Sequence, residues 1–227
     1  MNTLQVSKSV FFLAVTCLLF SSIKSQEKQE DKIKAATGVL KDFGKMKESI
    51  PAELLKITEG IIIVPKLINA GLGISAKRGR GIAMVKLENG SWSNPAFVTM
   101  TGGGVGLQIG FQKVDLVLIF KNRETLEKIG GGSFTIGGDI SATAGPVGRN
   151  STASTDYKLE AEIYSYSRSK GLFAGISLSG AEIDTDGKGN DAFYGKDIDA
   201  KTIFSNSTQI KSASVTKLKA ELENLAK

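Results

Sequence analysis

The chain has 227 residues and a mildly basic composition, with 29 Lys and Arg against 23 Asp and Glu. It contains no His and a single Cys, Cys17, which removes the imidazole base of nucleophilic triads and the usual ligands of zinc. A carboxylate enzyme would need two acids converging in a cleft, whereas the acids fall in helix-like and turn-like stretches. We therefore expect a protein that is not an enzyme and that holds no metal or cofactor.

Residues 1–25 have the pattern of a secretory signal peptide. Lys8 precedes an apolar run of eleven residues, 10–20, and small polar residues follow up to Ser25. Such a run is too short to span a bilayer as a helix, which needs about 20 residues. Cys17 lies inside the run rather than at its end, so we expect cleavage without lipidation of Cys17.

The chain that would remain, 26–227, is long enough for one sizeable core and contains no linker-like segment. Cleavage would remove Lys8 and Lys24 but no acid, which lowers the formal net charge from +6 to +4. Nucleic-acid binding typically needs clustered cations and a reading element, so we expect none. An anionic membrane needs only a local basic patch, since each cation near it contributes on the order of 1 kcal/mol.

The first predicted element of this domain is an amphipathic helix in a Lys-rich stretch. Its apolar face is formed by residues three or four positions apart, namely Ile33, Ala36, Thr37, Leu40, Phe43 and Met46. The lysines could lay this helix on an anionic membrane. We favour docking onto the domain instead, because Asp31, Asp42 and Glu48 dilute the positive face.

Short helices and many strands follow. Pro51 suits a first helical position, and Asn122 suits the N-cap of a helix that Gly130 ends. The Asn89-Gly90 turn predicts a hairpin between Gly81–Glu88 and Ser91–Val98. The other predicted strands are Gly60–Pro65, Val105–Phe111, Val114–Phe120, Phe134–Ala144, Lys158–Ser167 and Leu172–Leu178, and a final helix covers Ser214–Leu225.

These elements predict an α+β fold. Its sheet is a strongly twisted antiparallel sheet or a partly closed β-barrel, with helices at the N- and C-terminal ends. The glycines of 102–110 lie in an alternating strand pattern, not in a phosphate-binding loop. The acids of 184–191 fail the calcium-loop spacing, and we interpret them as an exposed turn with Asn190 as a helix cap.

The run 164–170 places two aromatic and two cationic side chains at alternate positions. In an extended strand Tyr164, Tyr166, Arg168 and Lys170 share one face, and Ser165, Ser167 and Ser169 share the other. A phosphate site formed by Arg149, Arg168 and Lys170 is chemically reasonable. The alternatives are half-buried tyrosines with solvated cations, or ion pairs with Asp139 or Glu162.

A second basic segment is an alternative source of ligands for a phosphate headgroup. Lys77, Arg78 and Arg80 are spaced by glycines, and we expect them in a loop or at a strand end.

An ordered set of short motifs gives the chain a family resemblance. The set is Ile50-Pro51, Gly60-Ile61-Ile62-Ile63-Val64-Pro65, Trp92-Ser93-Asn94-Pro95, Gly145-Pro146-Val147-Gly148-Arg149 and Phe193-Tyr194-Gly195. Over roughly residues 50–195 the chain resembles the SYLF family, and specifically its bacterial secreted members. The resemblance implies a lipid-binding module for phosphoinositides and other anionic phospholipids, with actin binding in some yeast members, and no catalysis.

We therefore expect a secreted protein of the bacterial periplasm or envelope that binds anionic phospholipid headgroups at a membrane surface. The candidate headgroup ligands are Arg149, Arg168, Lys170, Tyr166, Ser167, Lys77, Arg78 and Arg80. In the alternative interpretation, the domain binds another envelope protein and has no lipid specificity.

Overall fold

The computed structural model describes residues 25–46, 49–128, 133–138, 141–145, 161–174, 176–195, 197–205 and 210–226. Helix α1 covers 25–45, and the further helices are α2 (Ala52–Lys56), α3 (Arg123–Glu127), α4 (Gly187–Tyr194), α5 (Ala200–Phe204) and α6 (Ala213–Leu225). The strands are β1 (Gly60–Val85), β2 (Ala96–Phe120), β3 (Phe134–Ile136), β4 (Ala142–Ala144), β5 (Ile163–Ser169), β6 (Leu172–Phe173) and β7 (Ala181–Thr185).

One long antiparallel hairpin dominates the fold. β1 has 26 residues and β2 has 25, and their ladder runs from the Gly60–Phe120 pair to the Ala83–Ala96 pair. The predicted turn at Asn89-Gly90 is confirmed, with Gly90 at a φ of 79°. The prediction of separate strands Gly60–Pro65 and Gly81–Glu88 was wrong, because two bulges let pairing continue through the intervening residues.

The other strands pair around β2. Its residues 98–102 pair with β7 and its residues 115–120 with β5, while β3, β4 and β6 extend these two edges. Between them lies a stretch in which the described residues pair only as β1 with β2. We call this stretch, residues 68–76 and 103–113, the ribbon. The sheet is antiparallel except for the β4–β5 pair, and the predicted fold class is confirmed.

The hairpin is so strongly curved that residues near its turn contact residues at its open end. The Lys86 N–H donates to Glu59 O at 2.8 Å, and the Glu59 N–H donates to Phe120 O at 2.9 Å. Gly81 crosses Ile63 so closely that a Cβ at position 81 would lie 2.1 Å from Ile63 O. This crossing nearly closes the barrel, and it requires glycine at position 81.

The sheet has an apolar core on each face. The inner core includes Ile62, Val64, Val98, Leu116, Leu118, Phe120, Ile183 and Phe204. The outer core lies between the sheet and the helices, and it includes Leu40 and Phe43 of α1, Leu218 and Leu222 of α6, and Ile63, Ile82, Met84 and Phe97 of the sheet. The predicted docking of α1 and the predicted final helix are both confirmed.

Of the three residues predicted to begin or cap helices, one does so in the predicted way. Asn122 caps α3, since its side chain accepts from the Glu124 N–H at 2.9 Å. Pro51 is the N-cap of α2, not its first residue. The prediction of Asn190 as a cap was wrong: Asp186 caps α4, and Asn190 is buried inside that helix.

Two predicted strands are shorter than expected. Among the described residues of Leu172–Leu178, only Leu172–Phe173 form a strand, and the described part of Phe134–Ala144 contains β3 and β4, which pair with different strands. The segments around Gly130 and Lys158 lie outside the described residues.

Candidate functional site

The aromatic and cationic stripe of β5 exists, but α1 covers it. Tyr164, Tyr166 and Arg168 share one face as predicted, and both tyrosines are buried in the outer core. Burial raises the pKa of the Tyr166 phenol. Lys170 lies beyond the end of the strand, in a turn with a φ of 50°, and its side chain is exposed.

Arg168 is engaged by two carboxylates. Its Nη2 donates to Asp42 on α1 at 2.5 Å and to Asp115 on β2 at 2.8 Å. The guanidinium carbon lies 5.8 Å from the centre of the Phe43 ring. These partners, rather than Glu162, engage Nη2 of Arg168 and tie α1 to the sheet, while its buried Nε has no hydrogen-bond partner among the described residues. A phosphate would have to displace both carboxylates to bind here.

The hydroxyls on the other face of β5 are also engaged. Ser165 and Ser169 donate to the carbonyl oxygens of Thr143 and Lys113, each at 3.3 Å. Ser167 donates to Ala174 O. Each hydroxyl therefore connects β5 to a neighbouring segment.

The second basic segment does not lie in a loop or at a strand end, as the sequence predicted. Lys77, Arg78 and Arg80 lie in the interior of β1, so alternate side chains point to opposite faces. Arg78 and Arg80 are exposed, whereas Lys77 is only 5% exposed and faces inward. Arg149 lies outside the described residues. The seven described candidates are therefore divided among separate places rather than collected in one site.

The ribbon carries an exposed apolar surface that was not predicted from the sequence. Leu72 is 81% exposed, Ile74 is 75% exposed and Phe111 is 61% exposed, and Ile68 is exposed beside them. The same face of the same two strands is covered by helices at Ile63 and Ile82. A contiguous exposed apolar area of this kind commonly marks a binding surface.

The pattern of β1 holds the signal that could have revealed this surface. Isoleucine and leucine occupy positions 68, 72 and 74, whereas Asn69, Ser75 and Lys77 occupy the alternate positions and are buried. The usual arrangement of apolar side chains inside and polar side chains outside is therefore reversed along the ribbon.

Cations surround the apolar side chains. Lys113 is paired with Ile68 across the ladder, and its Nζ lies 5.6 Å from the centre of the Phe111 ring. The hydrogen bond from Ser169 to Lys113 O brings the β5–β6 turn, with exposed Lys170, alongside. Leu172 is 73% exposed, but it pairs with Ser169 and therefore lies on the opposite face of the sheet. We define the outer patch as Ile68, Leu72, Ile74 and Phe111 with the exposed cations Lys66, Lys113 and Lys170.

The nearest acid does not cancel this charge. Asp115 accepts from Arg168 and from the backbone N–H of Lys66, at 2.9 Å. The outer patch therefore combines apolar side chains with cations that have no ion-pair partner among the described residues. This combination suits a surface that is apolar within and negatively charged at its boundary.

Neither a metal-binding cluster nor a membrane-crossing helix is present in the described part of the chain. No group of three or more acidic or cysteine side chains there could hold a metal ion. No described helix has both the length and the apolar character needed to cross a membrane.

Comparisons with known proteins point to one family. A family model described as "Ysc84: Las17-binding protein actin regulator" matches residues 101–225. The LAS seventeen-binding protein 3 of Saccharomyces cerevisiae is 34% identical over 187 residues, which cover 81% of this chain and 40% of that protein. The SH3 domain-containing YSC84-like protein 1 of Bos taurus is 33% identical over 185 residues, which cover 81% of this chain and 54% of that protein.

The chain thus spans about half or less of the length of these relatives. Their names, like that of Protein YSC84 of Saccharomyces cerevisiae, which is 32% identical over 198 residues, describe no catalytic activity.

Proposed function

The chain belongs to the Ysc84/SYLF family, and from this premise we propose that it is a non-enzymatic module that binds anionic phospholipid membranes through the outer patch. The observation that carries the proposal is the exposure of Leu72 and Ile74 on a sheet face that helices cover elsewhere. The surrounding lysines support an anionic partner, because cations beside an apolar surface complement anionic headgroups above acyl chains.

The magnitudes favour a membrane over a purely electrostatic partner. Complete burial of one Leu or Ile side chain contributes about 1.5–3 kcal/mol. One cation at an anionic surface contributes on the order of 1 kcal/mol. Leu72 and Ile74 together would therefore contribute at least as much as all three lysines of the outer patch, and we expect salt to weaken binding without abolishing it.

This proposal changes the site that the sequence favoured. Lys170 remains part of it, whereas Arg168 and Tyr166 lie beneath α1 and Ser167 is bonded to the backbone. Arg78 lies on the same face of β1, just beyond the ribbon, and could contact headgroups at the edge of the outer patch.

Co-sedimentation with vesicles tests the proposal. The protein is mixed with phosphatidylcholine vesicles with and without phosphatidylglycerol, and Leu72→Ser with Ile74→Ser is compared with Ile57→Ser. Ile57 is a matched control, since it is 44% exposed and lies away from the ribbon. We expect the double variant to lose at least tenfold in affinity for anionic vesicles, from the loss of about 1.4 kcal/mol or more.

A second comparison isolates the charge. Lys113→Gln with Lys170→Gln is compared with Lys201→Gln with Lys217→Gln, in which the exposed cations lie on α5 and α6. The proposal is supported if the Lys113 and Lys170 double variant loses binding to anionic vesicles and the Lys201 and Lys217 double variant does not. Equal binding by all four variants and the parent protein would overturn it.

A protein partner is the second candidate function. The matched family description and the yeast relative both name Las17 binding, and this supports a role in protein assembly. If the protein fails to bind any vesicle, the outer patch would be tested as a protein-binding surface by cross-linking, with the Leu72 and Ile74 variant as the control.

We also propose that the protein acts outside the cytoplasm, at a bacterial envelope membrane. The support is the signal-peptide pattern of residues 1–25. The N-terminal sequence of the protein recovered from the periplasm or medium tests this, and retention of residues 1–25 in the cytoplasm would contradict it.

A further inference from the structure

A lysine on the inner face of β1 has no acidic partner among the described residues. Lys77 is only 5% exposed, and no carboxylate lies within ion-pair distance of its Nζ in that part of the chain. Burial lowers its pKa, with no opposing charge to restore it. A lysine whose side chain is largely enclosed usually has an acidic partner, because burial disfavours its charged form, so Lys77 needs an explanation.

Gly104 leaves an open place beside this ammonium. A Cβ built on Gly104 would lie 3.4 Å from Ser75 Oγ and 4.0 Å from Lys77 Nζ, and no other described heavy atom outside its chain neighbours comes within 4 Å of it. A hydroxyl and an ammonium therefore border the same unfilled point. We call this arrangement of Ser75, Lys77 and Gly104 the cradle.

The cradle lies on the opposite face of the sheet from the outer patch. Lys77 pairs with Gly102 and Ser75 with Gly104 across the ladder, so both side chains stand over glycines. The Ser75 hydroxyl donates to Gly104 O at 3.2 Å, and its hydrogen can rotate toward another acceptor.

We propose that the cradle binds a compact oxyanion, namely a phosphate group, through the Lys77 ammonium and the Ser75 hydroxyl. A phosphate presents several oxygens, so one oxygen can accept from Nζ while another accepts from Oγ. The phosphate belongs either to a soluble phosphate ester or to a phospholipid headgroup. The site is distinct from the outer patch and does not depend on its function.

Gly104→Ala is the test variant, with Gly103→Ala as its matched control. A methyl group at 104 fills the cradle without a steric clash, whereas a methyl group at 103 meets only Ser75 O, at 3.7 Å. Neither glycine has a positive φ, so alanine fits both backbones. Lys77→Met and Ser75→Ala remove the two polar groups separately.

The first measurement is a titration of the protein with inorganic phosphate at constant ionic strength, followed by backbone NMR shifts. We expect saturable shifts around residues 75–77 and 102–104 in the parent protein and in Gly103→Ala. We expect at least tenfold weaker binding in Gly104→Ala and Lys77→Met. No saturable shift in the parent protein, or equal binding by all variants, would overturn the proposal for soluble phosphate.

The second measurement uses phosphatidylcholine vesicles with and without phosphatidic acid. A phospholipid source is supported if Gly104→Ala binds the phosphatidic acid vesicles at least tenfold more weakly than Gly103→Ala. A soluble source is supported if Gly104→Ala loses only inorganic phosphate. If Gly104→Ala matches Gly103→Ala in both assays, the cradle is not an oxyanion site, whatever the Leu72 and Ile74 variant shows.

Discussion

Arg168 of β5 donates a hydrogen bond to Asp42 of α1 across a sequence separation of 126 residues, with an N–O distance of 2.5 Å. The same Nη2 also donates to Asp115 on β2. One guanidinium thus holds the first described helix against two strands. Arg168, one of the three phosphate ligands that the sequence predicted together, therefore forms structural ion pairs instead.

Arg168→Met should lower the free energy of unfolding by about 2 kcal/mol, because it removes the donor to the Asp42 carboxylate and one of the two donors to Asp115. Lys170→Met, which removes an exposed cation two residues away, should change it by less than about 0.5 kcal/mol. Urea unfolding measures both. Equal effects would contradict the structural role of Arg168.

Asn190→Ala should lower the free energy of unfolding by about 1–3 kcal/mol. The buried Asn190 Oδ1 accepts from the Phe97 N–H at 2.8 Å, and the substitution leaves that N–H unsatisfied. Asp191→Ala is the control, since its side chain is exposed on the same helix. A change in urea midpoint no larger than that of Asp191→Ala would show that water replaces the lost acceptor.

Gly81→Ala should destabilise the fold by more than about 3 kcal/mol, because the new Cβ would overlap Ile63 O. Gly187→Ala should be neutral or stabilise by up to about 1 kcal/mol, since no described atom lies within 4 Å of its Cβ position. The melting temperatures of the two variants show whether the destabilisation comes from the close contact between position 81 and Ile63 or from replacing a glycine in general. A normally stable Gly81→Ala protein would show that β1 does not cross itself at this point.

Lys77→Met should be more stable than the parent protein at about pH 7, and the difference should shrink as the pH rises toward 10.5. Burial lowers the folded-state pKa of Lys77 below that ordinary value. Between the two values the unfolded chain binds more protons, so the stability of the parent protein rises with pH while the variant lacks this contribution. Urea unfolding over this range, in buffer without phosphate, measures the difference. A difference that stays constant would exclude titration of Lys77 as its cause.

Short-range signals predicted much of the fold. The Asn89-Gly90 turn, the Asn122 cap and the spacing of Leu40 and Phe43 all act within a few residues, and the structure shows a turn, a capped helix and a docked helix there. The continuity of β1 could not be predicted in this way. Glycines and cations between Pro65 and Gly81 indicated a loop, whereas cross-strand pairing with β2 keeps this segment extended.

The candidate site was harder to predict, because its character depends on which face of the sheet is covered. Lys77 and Arg78 are adjacent in sequence, yet one is buried and the other is exposed. The bulge between Val64 and Leu67 shifts the alternation, so that Leu67 faces the inner core and Ile68 faces outward. The bulge cannot be recognised from residue types, so the sequence alone could not assign Leu72 and Ile74 to the surface.

We expect closure of the barrel by the contact between Lys86 and Glu59 to be a late event in folding. Pairing of β1 with β2 can spread from the Asn89-Gly90 turn, because each new pair closes only a slightly larger loop. Glu59 is held in register with Lys86 only after the ladder has extended to Gly60 and Phe120. Changes at the turn should therefore alter mainly the folding rate, whereas changes at Gly81 should alter mainly the unfolding rate.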